Sequence, residues 1–163
     1  MISFSSGFSF LKERRFEMFL RRAEVQVGDK RIPCGIPKGM VIRELGDVFR
    51  AFGFLSERVQ EEVYALYMDT RQKVIGFYQV SKGSIDLTVF KPADVLRPAL
   101  LVGAASIILV HNHPSGDPEP SLEDRQMTMK MREACSILGL VFHEHVVIGR
   151  DDYRSIISMV KEV

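Results

Sequence analysis

The run Ala105-Ser-Ile-Ile-Leu-Val110 is apolar on both faces. Such a strand needs cover above and below, so it belongs at the centre of a sheet with helices on both sides. A Pro- and Gly-rich loop at 114–120 follows it, then a helical stretch from Ser121 to Leu138 and a strand from Leu140 to Ile148. Strand, loop, helix and strand in that order point to an α/β domain. The 163 residues, 46% of them hydrophobic, suffice for one such domain with a full core and a short appendage.

The appendage is expected at residues 1–40 and the main domain at 41–163. Apolar spacings of three and four from Gly7 to Glu24, with Lys12, Arg14, Arg15, Arg21 and Arg22 between them, predict an amphipathic helix with a basic outer face. Glu24 to Ile32 alternates like a short strand or hairpin, and the next stretch is punctuated by Pro33, Gly35, Pro37 and Gly39. From Val41 to Val63 the pattern supports one or two helices broken near Gly53, with Ser56-Glu57 opening the second. Val63–Asp69, Lys73–Val80 and Ile85–Phe90 read as strands, the last two joined by a turn at Ser81 to Ser84. Asp94–Leu101 reads as a helix with Pro98 in a first turn or at a kink, and Asp151–Val160 as a terminal helix.

Composition narrows the function classes. The formal charge of +1 gives no general basic excess for coating nucleic acid, although residues 1–31 hold seven Lys/Arg against four Asp/Glu. The longest predominantly apolar stretch, Ala99 to Val110, is 12 residues, short of the roughly 20 a spanning helix needs. No basic segment precedes an apolar run at the N-terminus, so a secretory signal is not expected. Cys34 and Cys135 lack metal-ligand spacing and read as two free thiols in a reducing compartment, in keeping with a cytoplasmic protein.

The densest chemistry follows the central strand, in His111-Asn-His113-Pro-Ser-Gly-Asp-Pro-Glu-Pro-Ser121-Leu-Glu-Asp124. Histidines at i and i+2 of an extended segment point to one side, so a metal ion can take both without distorting the backbone. The loop lets the next helix return its first turn to the strand end, where Asp124 could be a third ligand. Two imidazoles and a carboxylate leave the fourth tetrahedral position of zinc open to water, whose pKa such a site lowers to about 7. Ser121 and Asp124 also fit a helix capping box, which would explain both without a metal. The two roles are compatible.

The order His-x-His, seven residues, Ser, two residues, Asp resembles the JAMM (MPN+) zinc-metalloprotease signature. The run from Arg97 through Pro118, with His145-Val-Val-Ile-Gly149, is similar to the RadC family. The resemblance covers roughly residues 40–160. It implies a JAB/MPN-like, cytidine-deaminase-like mixed sheet flanked by helices, with zinc on His111, His113 and Asp124. It also implies a glutamate ahead of the first core strand acting as general base, for which Glu62 is the best match and Glu61 the fallback. Ser121 would then help stabilise the developing oxyanion.

Other residues invite weaker readings. His143-Glu-His145 is a second His-x-His but lacks a following Ser-x-x-Asp; it reads as structural, or as holding a ligand in place through His145. Met127, Met129 and Met131 read as packing, and Asp117 and Glu119 as exposed turn residues.

Three functions compete on these grounds. The leading one is a zinc hydrolase acting on a peptide or isopeptide bond of a peptide or protein substrate. A DNA-associated protein is the second, since RadC-like proteins carry a DNA-repair label. Against it, the 40 residues ahead of the domain show no clear helix-hairpin-helix of the kind longer relatives carry, and His-Asn-His lies in the wrong context for an HNH nuclease. The third is a non-catalytic MPN-fold binding module, which would typically have lost the ligands that this chain keeps.

Overall fold

The computed structural model describes residues 39–83 and 90–160. The expected basic helix at 7–24, the hairpin after it, Cys34 and most of the strand expected at Ile85–Phe90 lie outside the described residues. Among the described residues, five strands form one mixed sheet: β1 (Glu62–Met68), β2 (Val74–Lys82), β3 (Ser106–Asn112), β4 (Val141–Ile148) and β5 (Tyr153–Ser155). Their order is β2-β1-β3-β4-β5, with β3 and β4 parallel and the other neighbours antiparallel. β1 and β3 are buried along their whole length, as expected of the doubly apolar run.

Helices cover both faces. Val63, Ala65, Tyr67, Ile107 and Leu109 pack under α2 (Pro92–Leu101) and α3 (Leu122–Ile137), against Val95, Ala99, Met127 and Met131. Tyr64, Leu66, Ile108, Val110, Val146 and Ile148 face the other way, against Val48 and Phe52 of α1 (Leu45–Phe52) and Leu55 of the 3-10 turn Gly53–Glu57. Burying one such aliphatic side chain contributes on the order of 1.5–3 kcal/mol, and the alternation of these residues fixes which face every site residue occupies. Tyr67 adds a buried hydrogen bond from its hydroxyl to the Val95 carbonyl, 2.9 Å, tying β1 to α2.

Four local expectations are corrected. Val41 is not helical: it bridges Lys73, while Val74 N donates to the Met40 carbonyl at 2.8 Å. The helix starts at Leu45 because the Asp47 carboxylate accepts from Arg43 N and Glu44 N, closing a capping box. Ser56 ends a turn instead of opening a helix, its hydroxyl donating to the Gly53 carbonyl at 2.8 Å. In α2 the first turn belongs to Pro92, and the helix runs on through Pro98. The tail at 151–160 is half strand, because β5 pairs with β4 and Tyr153 stacks on Phe49 before α4 (Ile156–Val160) begins.

Cys135 is a buried free thiol whose pKa burial pushes up to about 11. Among the described residues no helix is long and apolar enough to cross a membrane.

Candidate metal centre

His111 lies one residue before the end of β3, opposite Val63, on the face covered by α3. His113 continues the same line past the strand, its backbone N donating to the Ile148 carbonyl at 3.0 Å. Asp124 lies in the first turn of α3, whose N-cap is Ser121. The loop between them is folded back on β4. Gly116 takes φ +85°, which suits a residue without a β-carbon, and Arg150 N donates to its carbonyl at 2.9 Å. A β-carbon on Gly149 would stand 2.6 Å from the Gly116 carbonyl oxygen, so only glycine allows the loop to pass this closely.

The result is a convergence of three ligand-type side chains, His111, His113 and Asp124. His111 Nε2 lies 3.2 Å from His113 Nε2 and 3.1 Å from Asp124 Oδ1, and His113 Nε2 lies 3.4 Å from Asp124 Oδ2. Ligands about 2.0–2.1 Å from zinc sit about 3.3 Å apart along a tetrahedral edge. The three separations match that spacing.

The capping reading of Ser121 and Asp124 holds, and the geometry leaves room for the ligand reading beside it. Asp124 Oδ2 accepts from both Ser121 N and Ser121 Oγ at 2.7 Å, and Asp124 N donates back to Ser121 Oγ at 3.1 Å. This closes the cap with one carboxylate oxygen. The other, Oδ1, is buried with no partner in hydrogen-bond geometry, although His111 Nε2 is 3.1 Å away. An orphaned buried carboxylate oxygen costs a good deal, and a bound cation removes that cost.

The electrostatics agree. Burial pushes the Asp124 carboxyl up, but His111, His113 and Ser121 outweigh it and hold the group well below the usual carboxylate range. Burial opposes charge on His113, yet Asp124, the Asp117 carbonyl and the Glu61 carboxylate together raise its pKa above the ordinary imidazole value. His113 Nδ1 is 2.8 Å from that Asp117 carbonyl. A carbonyl can only accept, so Nδ1 carries a hydrogen, and Nε2 is the nitrogen that would give up its proton to take a metal.

Glu62 is not brought to this cluster. Val63 pairs with His111 and shares its face, so the alternation of β1 turns Glu62 to the opposite side. There its buried carboxylate accepts from Tyr64 Oη at 2.9 Å and Gln79 Nε2 at 3.1 Å, with Lys82 Nζ at 3.3 Å. Glu61, the residue just before β1, acts electrostatically on His113.

His145 of the second His-x-His reaches the site from below. A bulge in β4 passes over His143, so that Phe142 and His145 both face α3. His145 Nε2 lies 2.9 Å from His111 Nδ1, and its Nδ1 lies 2.7 Å from Thr128 Oγ1. Burial, with His111 beside it, holds the His145 pKa well below the ordinary value, so the ring is neutral. Met127 and Met131 are core, in keeping with packing, whereas Met129 is exposed. Glu119 pairs with Arg125 at 3.0 Å. Thr128 and Asn112 escaped the sequence reading. Thr128 carried a signal, four residues after Asp124 on the same helical face, while Asn112 carried only its place between two histidines.

A mixed sheet with helices on both faces and a His-His-Asp cluster at the junction of a strand and a helix N-terminus defines a JAB-type domain. The family profile described as RadC-like JAB domain matches residues 42–162, and the chain belongs to that family. A UPF0758 protein of Geobacter sulfurreducens is 40% identical over 102 residues, covering 63% of this chain and 44% of the relative. One from Streptococcus gordonii is 42% identical over 101 residues, 62% of this chain and 45% of the relative. One from Clostridium beijerinckii is 31% identical over 140 residues, 86% of this chain and 58% of the relative. The chain thus spans about half the length of the curated relatives it matches.

Proposed function

We propose that this chain is a zinc-dependent hydrolase that cleaves an amide bond, peptide or isopeptide, in a peptide or protein substrate. The observation that carries this reading is the convergence of His111, His113 and Asp124 at tetrahedral spacing, with Asp124 Oδ1 buried and unsatisfied. Zinc held by these three side chains supplies a Lewis acid for the scissile carbonyl and a water of lowered pKa.

The chain's own residues do the rest. Glu61, whose charge acts on His113, replaces Glu62 as the general base in this reading: it takes the proton from the attacking water and returns it to the leaving nitrogen. Ser121 holds Asp124 in the ligating orientation. Its hydrogen reaches a substrate oxyanion only by turning away from Asp124 Oδ2. Glu62 anchors β1 to β2 through Gln79 and Lys82, and also holds Tyr64 of its own strand.

The test pairs metal content with cleavage of peptide and isopeptide libraries by zinc-reconstituted protein. We expect about one zinc per chain, lost in His113→Ala. Glu61→Gln should keep the zinc and lose cleavage by at least about 100-fold, while Glu62→Gln should retain cleavage in the folded fraction. Failure of the wild-type chain to bind zinc overturns the proposal. Zinc binding without cleavage of any library makes the chain a metal-stabilised binding module instead, and cleavage surviving in Glu61→Gln removes that residue as the base.

A further inference from the structure

Behind His111 runs a buried line of polar groups that the proposed chemistry does not itself use. Thr128 Oγ1 donates its single hydrogen to the Asp124 carbonyl, one turn back along α3, at 2.7 Å. With that hydrogen committed, Thr128 can only accept from His145 Nδ1, 2.7 Å away. His145 Nδ1 therefore carries a hydrogen, and with one hydrogen on the ring its Nε2 is an acceptor. His145 Nε2 is 2.9 Å from His111 Nδ1, which must then be the donor. An imidazole whose single hydrogen is on Nδ1 carries its lone pair on Nε2, which in His111 is the atom that faces Asp124 Oδ1 and His113 Nε2.

We propose that Thr128 and His145 are positioning residues that set the tautomer and ring orientation of His111, so that its Nε2 is presented as a metal ligand. This rests on the zinc reading above and deepens it. Each link is a hydrogen bond with one permitted direction, because it starts at a carbonyl that cannot donate. Thr128, His145 and His111 are all fully buried, so water cannot supply a substitute donor or acceptor. The same helix therefore contributes a ligand through Asp124 and orients another through Thr128, one turn apart. A metal-bound histidine usually hands its second nitrogen to a carboxylate, a carbonyl or water; here another imidazole takes that place.

Thr128→Val keeps the shape and removes the hydroxyl, and Thr128→Ser restores it. Zinc affinity, read by competition with a chromophoric chelator, should fall about 10- to 100-fold in Thr128→Val and return to within about threefold of wild type in Thr128→Ser. Melting of the metal-free proteins checks that both variants fold. Imidazole nitrogen NMR of the metal-free wild-type chain, with His111 assigned, decides the matter even if Thr128→Val does not fold: the hydrogen should be on His111 Nδ1. Wild-type affinity in folded Thr128→Val, or a hydrogen on His111 Nε2, overturns the relay. Failure of the wild-type chain to bind zinc overturns the metal reading separately, because the NMR result is read without metal.

Discussion

Asn112 sits between the two candidate histidine ligands and faces the opposite side of the sheet. Its Oδ1 accepts from Glu62 N at 2.9 Å, and its Nδ2 donates to the carbonyls of Gln60 at 3.1 Å and Arg58 at 3.4 Å. One buried amide thereby ties the end of β3 to the segment carrying Glu61. Asn112→Ala would leave the Glu62 amide and the Gln60 and Arg58 carbonyls without this partner, at a cost of about 1–3 kcal/mol. The ligands themselves stay in place, so we expect denaturant unfolding to show that loss while zinc affinity changes by less than about threefold. A large loss of zinc affinity in the folded variant would mean that Asn112 supports the histidines instead of the Glu61 segment.

At the scale of elements, the loop from His113 to Ser121 must bring a helix N-terminus back to the end of β3. It passes close to Gly149, the residue after β4, where a β-carbon would meet the Gly116 carbonyl oxygen at 2.6 Å and Pro118 Cδ at 2.7 Å. Neither neighbour is the free end of a flexible side chain. Gly149→Ala should therefore displace the loop and destabilise the fold by about 1–3 kcal/mol. Because Asp117 of the same loop fixes His113, zinc affinity should fall with it. Chemical denaturation and chelator competition on the one variant check both effects, and unchanged values in both would show that the loop can move away at no cost.

At the scale of the whole molecule, the candidate ligands come from a central strand, the loop after it and a helix that packs across the sheet. They meet only in the folded state, so metal binding is coupled to stability. Zinc at about 1,000 times its dissociation constant should add about 4 kcal/mol, which raises Tm by roughly 10 °C in a domain of this size. The shift should be reversed by a chelator and be absent in His113→Ala. A wild-type Tm insensitive to zinc would contradict the site.

The order of elements in the described region was mostly legible from local pattern. The doubly apolar run placed β3 at the centre, and the spacing of His111, His113, Ser121 and Asp124 singled out four residues that the structure brings together. What local pattern could not supply was register. A one-residue slip in β1 would turn Glu62 to the histidine face, and only the pairing of Val63 with His111 turns it away. The bulge that turns His145 toward His111 depends on how β4 pairs with β3, and Thr128 matters only because α3 lies over that point. Residue type and spacing along the chain thus determined which groups could bind a metal. Cross-strand pairing and helix packing, which join residues distant in sequence, decided which of them face one another.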